Sequence, residues 1–187
     1  MGVLSLDHRA AVILRGPNGV GKTEVAKLLL RRFGTPTESL VNLDYGWSPG
    51  EYRYNGGPPR YQDLRNNTNT LMVIELAGGE PGDLNFPGAT TGAQEWIQVL
   101  RRAGRKLHPF LLWAEWPVIE PRLRSRNRGG GVNPLFLMYQ RYQFDSYSAP
   151  NGLLASVPSL DEQRINTGEM LPEDIASEIA TRISTNC

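Results

Sequence analysis

Five apolar residues, Ala10-Ala11-Val12-Ile13-Leu14, run almost directly into Gly16-Pro17-Asn18-Gly19-Val20-Gly21-Lys22-Thr23. No other stretch constrains the fold as strongly. The apolar run has the length of a buried strand. After the glycines, Val25, Ala26, Leu28, Leu29 and Leu30 alternate with Glu24, Lys27, Arg31 and Arg32, which is a helical pattern closed by Gly34 and Pro36. The loop matches G-x-x-x-x-G-K-[ST] at every fixed position, and its strand-before, helix-after context is the one that gives this motif meaning. Gly16, Gly19 and Gly21 let the backbone wrap closely round a polyphosphate. The N–H groups of Asn18, Val20 and the helix start point inward at it. Lys22 supplies a cation to the β- and γ-phosphates, and the Thr23 hydroxyl is a ligand for Mg²⁺. A chance glycine-rich turn before a helix is the alternative, and the complete context speaks against it.

Further along, Leu40 to Asp44, Leu71 to Leu76, Leu107 to Trp113 and Arg164 to Thr167 read as short strands. Helical patterns fill Ala93 to Ala103, Val118 to Arg126, Leu135 to Tyr142 and Pro172 to Ile183. Strands alternating with helices predict an α/β protein with a parallel sheet covered on both faces. The expected architecture is a three-layer P-loop NTPase fold with a five-stranded parallel sheet, in one domain over residues 1–187. Two stretches break the rhythm. Tyr45 to Asn69, rich in Gly, Pro, Asn and aromatic residues, is too long for a plain connection and is expected to bind the acceptor. Gly129-Gly130-Gly131 reads as a hinge within a helical lid over roughly 118–142.

Composition narrows the chemistry. With 187 residues, 40% apolar and 21% charged, the chain describes one ordinary globular domain. Its formal charge of +1 gives no whole-chain sign of a polyanion partner. Cys187 is the single cysteine, which rules out a disulfide framework and a thiolate metal site, and with only His8 and His108 besides, a structural zinc site is nearly excluded. No apolar run approaches the ~20 residues that cross a bilayer. Met1 to Asp7 lacks the charged and apolar regions of a secretory signal, and Leu6 breaks the myristoylation pattern. A cytoplasmic protein without a membrane partner is expected.

The remaining features separate the classes that share such a loop. No N-K-x-D motif reads a guanine base, and the third strand ends Ile74-Glu75-Leu76-Ala77-Gly78-Gly79 rather than in Asp-Glu. A small kinase fits better. Asp44 ends the second strand, where an open parallel sheet places its site. A carboxylate there can accept the proton of an attacking hydroxyl; the alternative is an Asp opening a turn before Gly46. Glu75, at the neighbouring strand end, either serves Mg²⁺ through water or orients a substrate hydroxyl, with Glu80 competing for the role and a plain structural Glu as the alternative.

Tyr45, Trp47, Tyr52, Tyr54 and Tyr61 are interleaved with Arg53, Arg60 and Arg65. Stacking faces and guanidinium forks suit a nucleotide or single-stranded nucleic acid, and Trp47, Arg53, Tyr54 and Arg60 are the expected substrate contacts. The alternative is that these rings pin a long loop to the core. From Arg101 to Arg141, nine basic residues face Glu115 and Glu120 alone. Arg122 and Arg126 are one turn apart, and on a hinged lid they can close over the triphosphate and neutralise its charge; a solvated basic face is the alternative.

With its phosphate loop, Asp44, the Arg122–Arg128 segment and a terminal strand and helix, the chain resembles the P-loop small-molecule and nucleotide kinases. Polynucleotide 5′-hydroxyl kinases are similar in carrying an Asp base where Asp44 stands. The segments Asp44-Tyr45-Gly46-Trp47, Ile74 to Pro81, Gly88-Ala89-Thr90 and Gly104-Arg105-Lys106 resemble phage kinases that phosphorylate 5-hydroxymethyluracil in DNA during thymine hypermodification. That resemblance implies ATP and Mg²⁺ as cofactors, DNA or a nucleotide as acceptor, and the host cytoplasm as location. The D-G-[FY]-P-R pattern of nucleoside monophosphate kinases is absent.

Overall fold

A computed structural model describes residues 4–36, 39–42, 68–76, 100–126, 133–148 and 162–185. Five strands lie in the order β2-β3-β1-β4-β5, and every neighbouring pair is parallel. They are β1 (Ala10–Arg15), β2 (Leu40–Asn42), β3 (Leu71–Leu76), β4 (Lys106–Trp113) and β5 (Gln163–Asn166). The helices are α1 (Lys22–Arg32), α2 (Trp116–Arg126), α3 (Pro134–Ser148) and α4 (Pro172–Thr185). The expected α/β organisation with a parallel sheet is present.

The strand that leads into the phosphate loop is central. Residues on both faces of β1, from Ala10 to Leu14, are at most 1% exposed. That is why this strand and β3 read as continuous apolar runs rather than alternating ones. On one face Val25, Ala26, Leu29 and Leu30 of α1 meet Ile175, Ala176, Ile179 and Ile183 of α4, and the two helices pack on each other. Both have apolar residues at helical spacing, with Glu24 in the first turn of α1 and Glu173 and Asp174 in that of α4.

Two boundaries differ from expectation. α3 runs to Ser148 rather than stopping at Tyr142. Leu137, Gln140 and Phe144 form one buried stripe, and Arg141 pairs with Asp145 one turn on, so the helix is carried through a stretch whose polar residues suggested its end. It begins where the Asn133 side chain accepts from the Leu135 N–H, an N-cap. α2 starts at Trp116, before Val118, because Trp116 itself is buried. Of the helix expected over Ala93 to Ala103, the described part ends at Arg102; Arg105 N–H then bonds back to Leu100 O and Gly104 takes φ 71°.

Candidate functional site

All strands are parallel, so their C-terminal ends share one edge of the sheet, and the loop between β1 and α1 lies there. Gly16 has φ 142°, and a Cβ on it would stand 2.1 Å from Leu112 O of β4. Only glycine fits. Val20 is buried as well. At Gly21, φ 95°, the chain enters α1 without any side-chain cap. The first N–H groups of a helix have no intrahelical partner, and they lie here at the positive end of the helix dipole, an anion-binding arrangement.

Lys22 is 5% exposed and lies along the loop, its Nζ donating to Gly16 O at 2.8 Å and Pro17 O at 3.2 Å. The ammonium is thus held against the loop that precedes it. Thr23 Oγ1 donates to Glu75 Oε2 over 3.0 Å. Glu75 is fully buried and stands beside Leu14 of β1 and Asn42 of β2 in the strand register. A buried carboxylate is costly unless it is paired, hydrogen-bonded or bound to a cation. Oxygen ligands of this kind, a hydroxyl and a carboxylate at the rim of the phosphate loop, suit Mg²⁺. Among the described residues no group of three or more His, Cys, Asp or Glu side chains could hold a metal by itself.

Helices α2 and α3 lie against the loop. A Cβ at Gly19 would lie 2.8 Å from Ile119 Cγ2 of α2, and Asn18 Nδ2 donates to Gln140 Oε1 of α3 at 3.0 Å. Arg122 of α2 bonds to the turn after β5: its Nη2 donates to Thr167 O at 2.8 Å and its Nη1 to Thr167 Oγ1 at 3.4 Å. In this conformation its guanidinium braces α2 against that turn. Arg126 closes α2 one turn further on.

Among the described residues, the long basic stretch does not form one surface. Arg101, Arg102, Arg105 and Lys106 sit at the start of β4, and Arg122, Arg124 and Arg141 beyond its end. Eight strand residues separate the groups by roughly 25 Å at ~3.3 Å per residue. Arg105 is buried and donates to Ala10 O and Asn69 O, Arg124 pairs with Glu120 and Arg141 with Asp145. The described basic residues of this stretch thus fall into two separate clusters, because a β-strand intervenes.

Asp44, Trp47, Arg53, Tyr54 and Arg60 lie outside the described residues, as do Glu80, Arg128 and the Gly129–Gly131 hinge. Two contributors went unread in the sequence: Gln140 and the Arg15–Glu162 pair. Arg15, the residue before Gly16, donates to Glu162 through Nε at 2.5 Å and Nη2 at 2.9 Å, both side chains buried. That pair ties the end of β1 to the start of β5 across β4. Gln140 carried a weak signal, a polar residue on an otherwise apolar helical stripe.

Comparison with known proteins places this arrangement. The chain is similar to a gluconokinase from Sinorhizobium meliloti at 16% identity and TM-score 0.54, over 95% of this chain and 94% of that one. It is similar to a sugar kinase from a Janibacter species at 18% identity and TM-score 0.51, over 95% and 99% of the two chains. An APS kinase, CysC, from Mycobacterium tuberculosis, in complex with AMPPNP and APS, matches at 14% identity and TM-score 0.50, over 93% and 96%. The chain has the fold of these kinases. No protein-family model matches it. A curated relative, an ATP-binding subunit ClpA homologue of the ATP-dependent Clp protease from Guillardia theta, is 32% identical over 91 residues, 41% of this chain. The chain spans about a tenth of that relative's length, 11%. No described helix is long and apolar enough to cross a membrane.

Proposed function

We propose that the chain is an ATP-dependent kinase that transfers the γ-phosphate to a hydroxyl group. The observation that carries this reading is the phosphate loop with its uncapped helix start, with Lys22 laid along it and Thr23 bonded to Glu75. The loop and helix amides hold the β- and γ-phosphates. Lys22 leaves the carbonyls of Gly16 and Pro17 for the phosphate oxygens, where charge develops in the transition state. Thr23 and Glu75 would hold Mg²⁺, through water or directly. When bound, that ion neutralises phosphate charge. Asp44, following β2, takes the proton from the acceptor hydroxyl. The acceptor oxygen bonds to the γ-phosphorus as the bond to the bridging β,γ-oxygen breaks, and ADP leaves. Arg122 and Arg126, on a lid that closes over the site, neutralise the transferring group.

As acceptor we propose the hydroxymethyl group of 5-hydroxymethyluracil in phage DNA, held by Trp47, Arg53, Tyr54 and Arg60. Support comes from the segments that resemble the phage DNA-base kinases. A nucleoside, nucleotide or small-metabolite acceptor is the second reading, favoured by the fold's likeness to kinases named for sugars, gluconate and APS and by the division of the basic stretch. An ATPase or regulatory module without an acceptor is the third, favoured by the partial likeness to an ATP-binding protease subunit. Label transfer from ATP, run in parallel with modified DNA, unmodified DNA, nucleosides, nucleotides and sugars, separates the three. Transfer to modified DNA that falls as salt rises is expected. A free nucleotide or sugar as best acceptor, with no label on DNA, removes the DNA reading. ATP turnover indifferent to every acceptor removes the kinase reading.

A further inference from the structure

The two helices after β4 rest on the phosphate loop at neighbouring residues and by two kinds of contact. Asn18 Nδ2 donates to Gln140 Oε1 of α3. The next residue, Gly19, approaches α2 so closely that its missing Cβ would meet Ile119 at 2.8 Å and Leu123 at 3.2 Å. The helices are joined to each other as well. Trp116 of α2 and Phe144 of α3 have ring centroids 5.5 Å apart, and the Arg141 guanidinium covers the Trp116 ring at 5.2 Å. Gln140 is 7% exposed and lies between Leu137 and Phe144 on the buried stripe of α3. A polar side chain so placed is unfavourable unless its hydrogen bond is made. The helix therefore docks fully only where the Asn18 amide is within reach.

From this geometry, and resting on the nucleotide site of the kinase reading, we infer that Gln140 is a positioning residue of the phosphate loop. By holding Asn18 it makes the nucleotide-ready shape of the loop and the docking of α3 a single event. Asn18 and Gly19 lie between Gly16 and Gly21, so their backbone is part of the anion cradle itself. A loop held in shape before its ligand arrives binds more tightly than one that must be ordered on binding. By linkage, nucleotide binding favours the docked α3 by the same factor that docking favours nucleotide.

The test measures ATP affinity with Mg²⁺ by calorimetry and hydrogen exchange over residues 133–148. It uses the wild type, Gln140→Leu, Asn18→Ala and the double variant. Each single change should weaken ATP binding roughly fivefold, the scale of one hydrogen bond, and abolish the ATP-induced slowing of exchange in α3. Gln140→Leu should raise KM for ATP with a far smaller change in kcat. The double variant should bind no more weakly than the worse single one, since both changes remove one bond. Unchanged affinity in both single variants, additive losses, or an ATP response of α3 that survives them overturns the inference. If Gln140→Leu does not fold, Asn18→Ala reads the same bond from the loop side. Wild-type protein that binds ATP but phosphorylates nothing removes the kinase reading and leaves this one standing; wild type that binds no ATP overturns both.

Discussion

Thr23 Oγ1 and Glu75 Oε2, 52 residues apart in the chain, are 3.0 Å apart in space, and their bond joins the first turn of α1 to the end of β3. A buried carboxylate held to the hydroxyl that follows the phosphate-loop lysine is a ready partner for a cation. Thr23→Ala should therefore raise the Mg²⁺ concentration needed for half-maximal turnover. Glu75→Gln should lower turnover at every Mg²⁺ concentration. A Mg²⁺ titration of the purified variants reads both effects. If neither variant shifts the titration, the metal role assigned to this pair is wrong.

Lys22 donates to the loop carbonyls of Gly16 and Pro17, and its charge is what the γ-phosphate transition state needs. Lys22→Ala should leave the protein folded and reduce kcat by about 10²–10³ fold, the loss seen for one such electrostatic contact. Circular dichroism checks the fold, and single-turnover kinetics the rate. A folded variant with near-normal turnover would falsify the phosphate-loop assignment.

Gly16 has no room for a side chain, because a Cβ would sit 2.1 Å from the Leu112 carbonyl oxygen. Gly16→Ala must push β1 and β4 apart at the root of the loop. We expect it to cost on the order of 1–3 kcal/mol of stability, measured by denaturant unfolding, and to weaken ATP binding in parallel. Stability equal to wild type would show that the strands yield there easily.

Glu162 and Arg15 form a buried two-bond ion pair. Removing the Glu162 charge weakens both buried bonds to Arg15, so Glu162→Gln should destabilise the protein by about 1–3 kcal/mol. Replacing both partners, Arg15→Met with Glu162→Leu, should cost less than the single change. Chemical denaturation of the three proteins decides it; a double variant worse than Glu162→Gln would contradict the argument.

His108 is buried beside His8, with ring centroids 5.8 Å apart. Desolvation, then the charges of His8 and Lys106, lower its pKa from 6.5 to about 4. The unfolded chain takes up the proton as pH falls through 6.5, the folded protein only near 4. Stability from this group is therefore complete above pH 6.5, declines between about 6.5 and 4, and levels below. The loss is at most on the order of 3 kcal/mol, at ~1.4 kcal/mol per pKa unit. His108→Gln should flatten that part of the stability–pH curve. An unchanged slope between pH 6.5 and 4 would show that other groups set it.

The reading of the chain divides by the range of the forces involved. The strand Leu71–Leu76 was legible to the residue because a strand buried on both faces carries a nearly continuous apolar run, here Leu71 to Ile74, before Glu75. The phosphate loop was legible because its shape is set within eight residues, by glycines that alone tolerate its dihedrals. The start of β2 at Leu40 and the Gly34 turn after α1 were legible for similar local reasons. The extension of α3 to Ser148 was not, since it depends on Phe144 finding the ring of Trp116.

Local chemistry in the amino-acid order was enough to specify a parallel α/β chain with a glycine-rich turn between β1 and α1, because dihedral preference and burial pattern act over a few neighbours. Long-range partners were decided by the tertiary structure. Thr23 meets Glu75, Asn18 meets Gln140 at a separation of 122 residues, and Arg122 meets Thr167 at 45. Each meeting depends on which strands lie side by side and on how the helices after β4 fold back. The same strand placement sent Lys106 and Arg122 to opposite ends of the sheet, although both belong to one basic stretch of sequence. Charge counted along a chain says nothing of charge in space when an eight-residue strand runs between the groups.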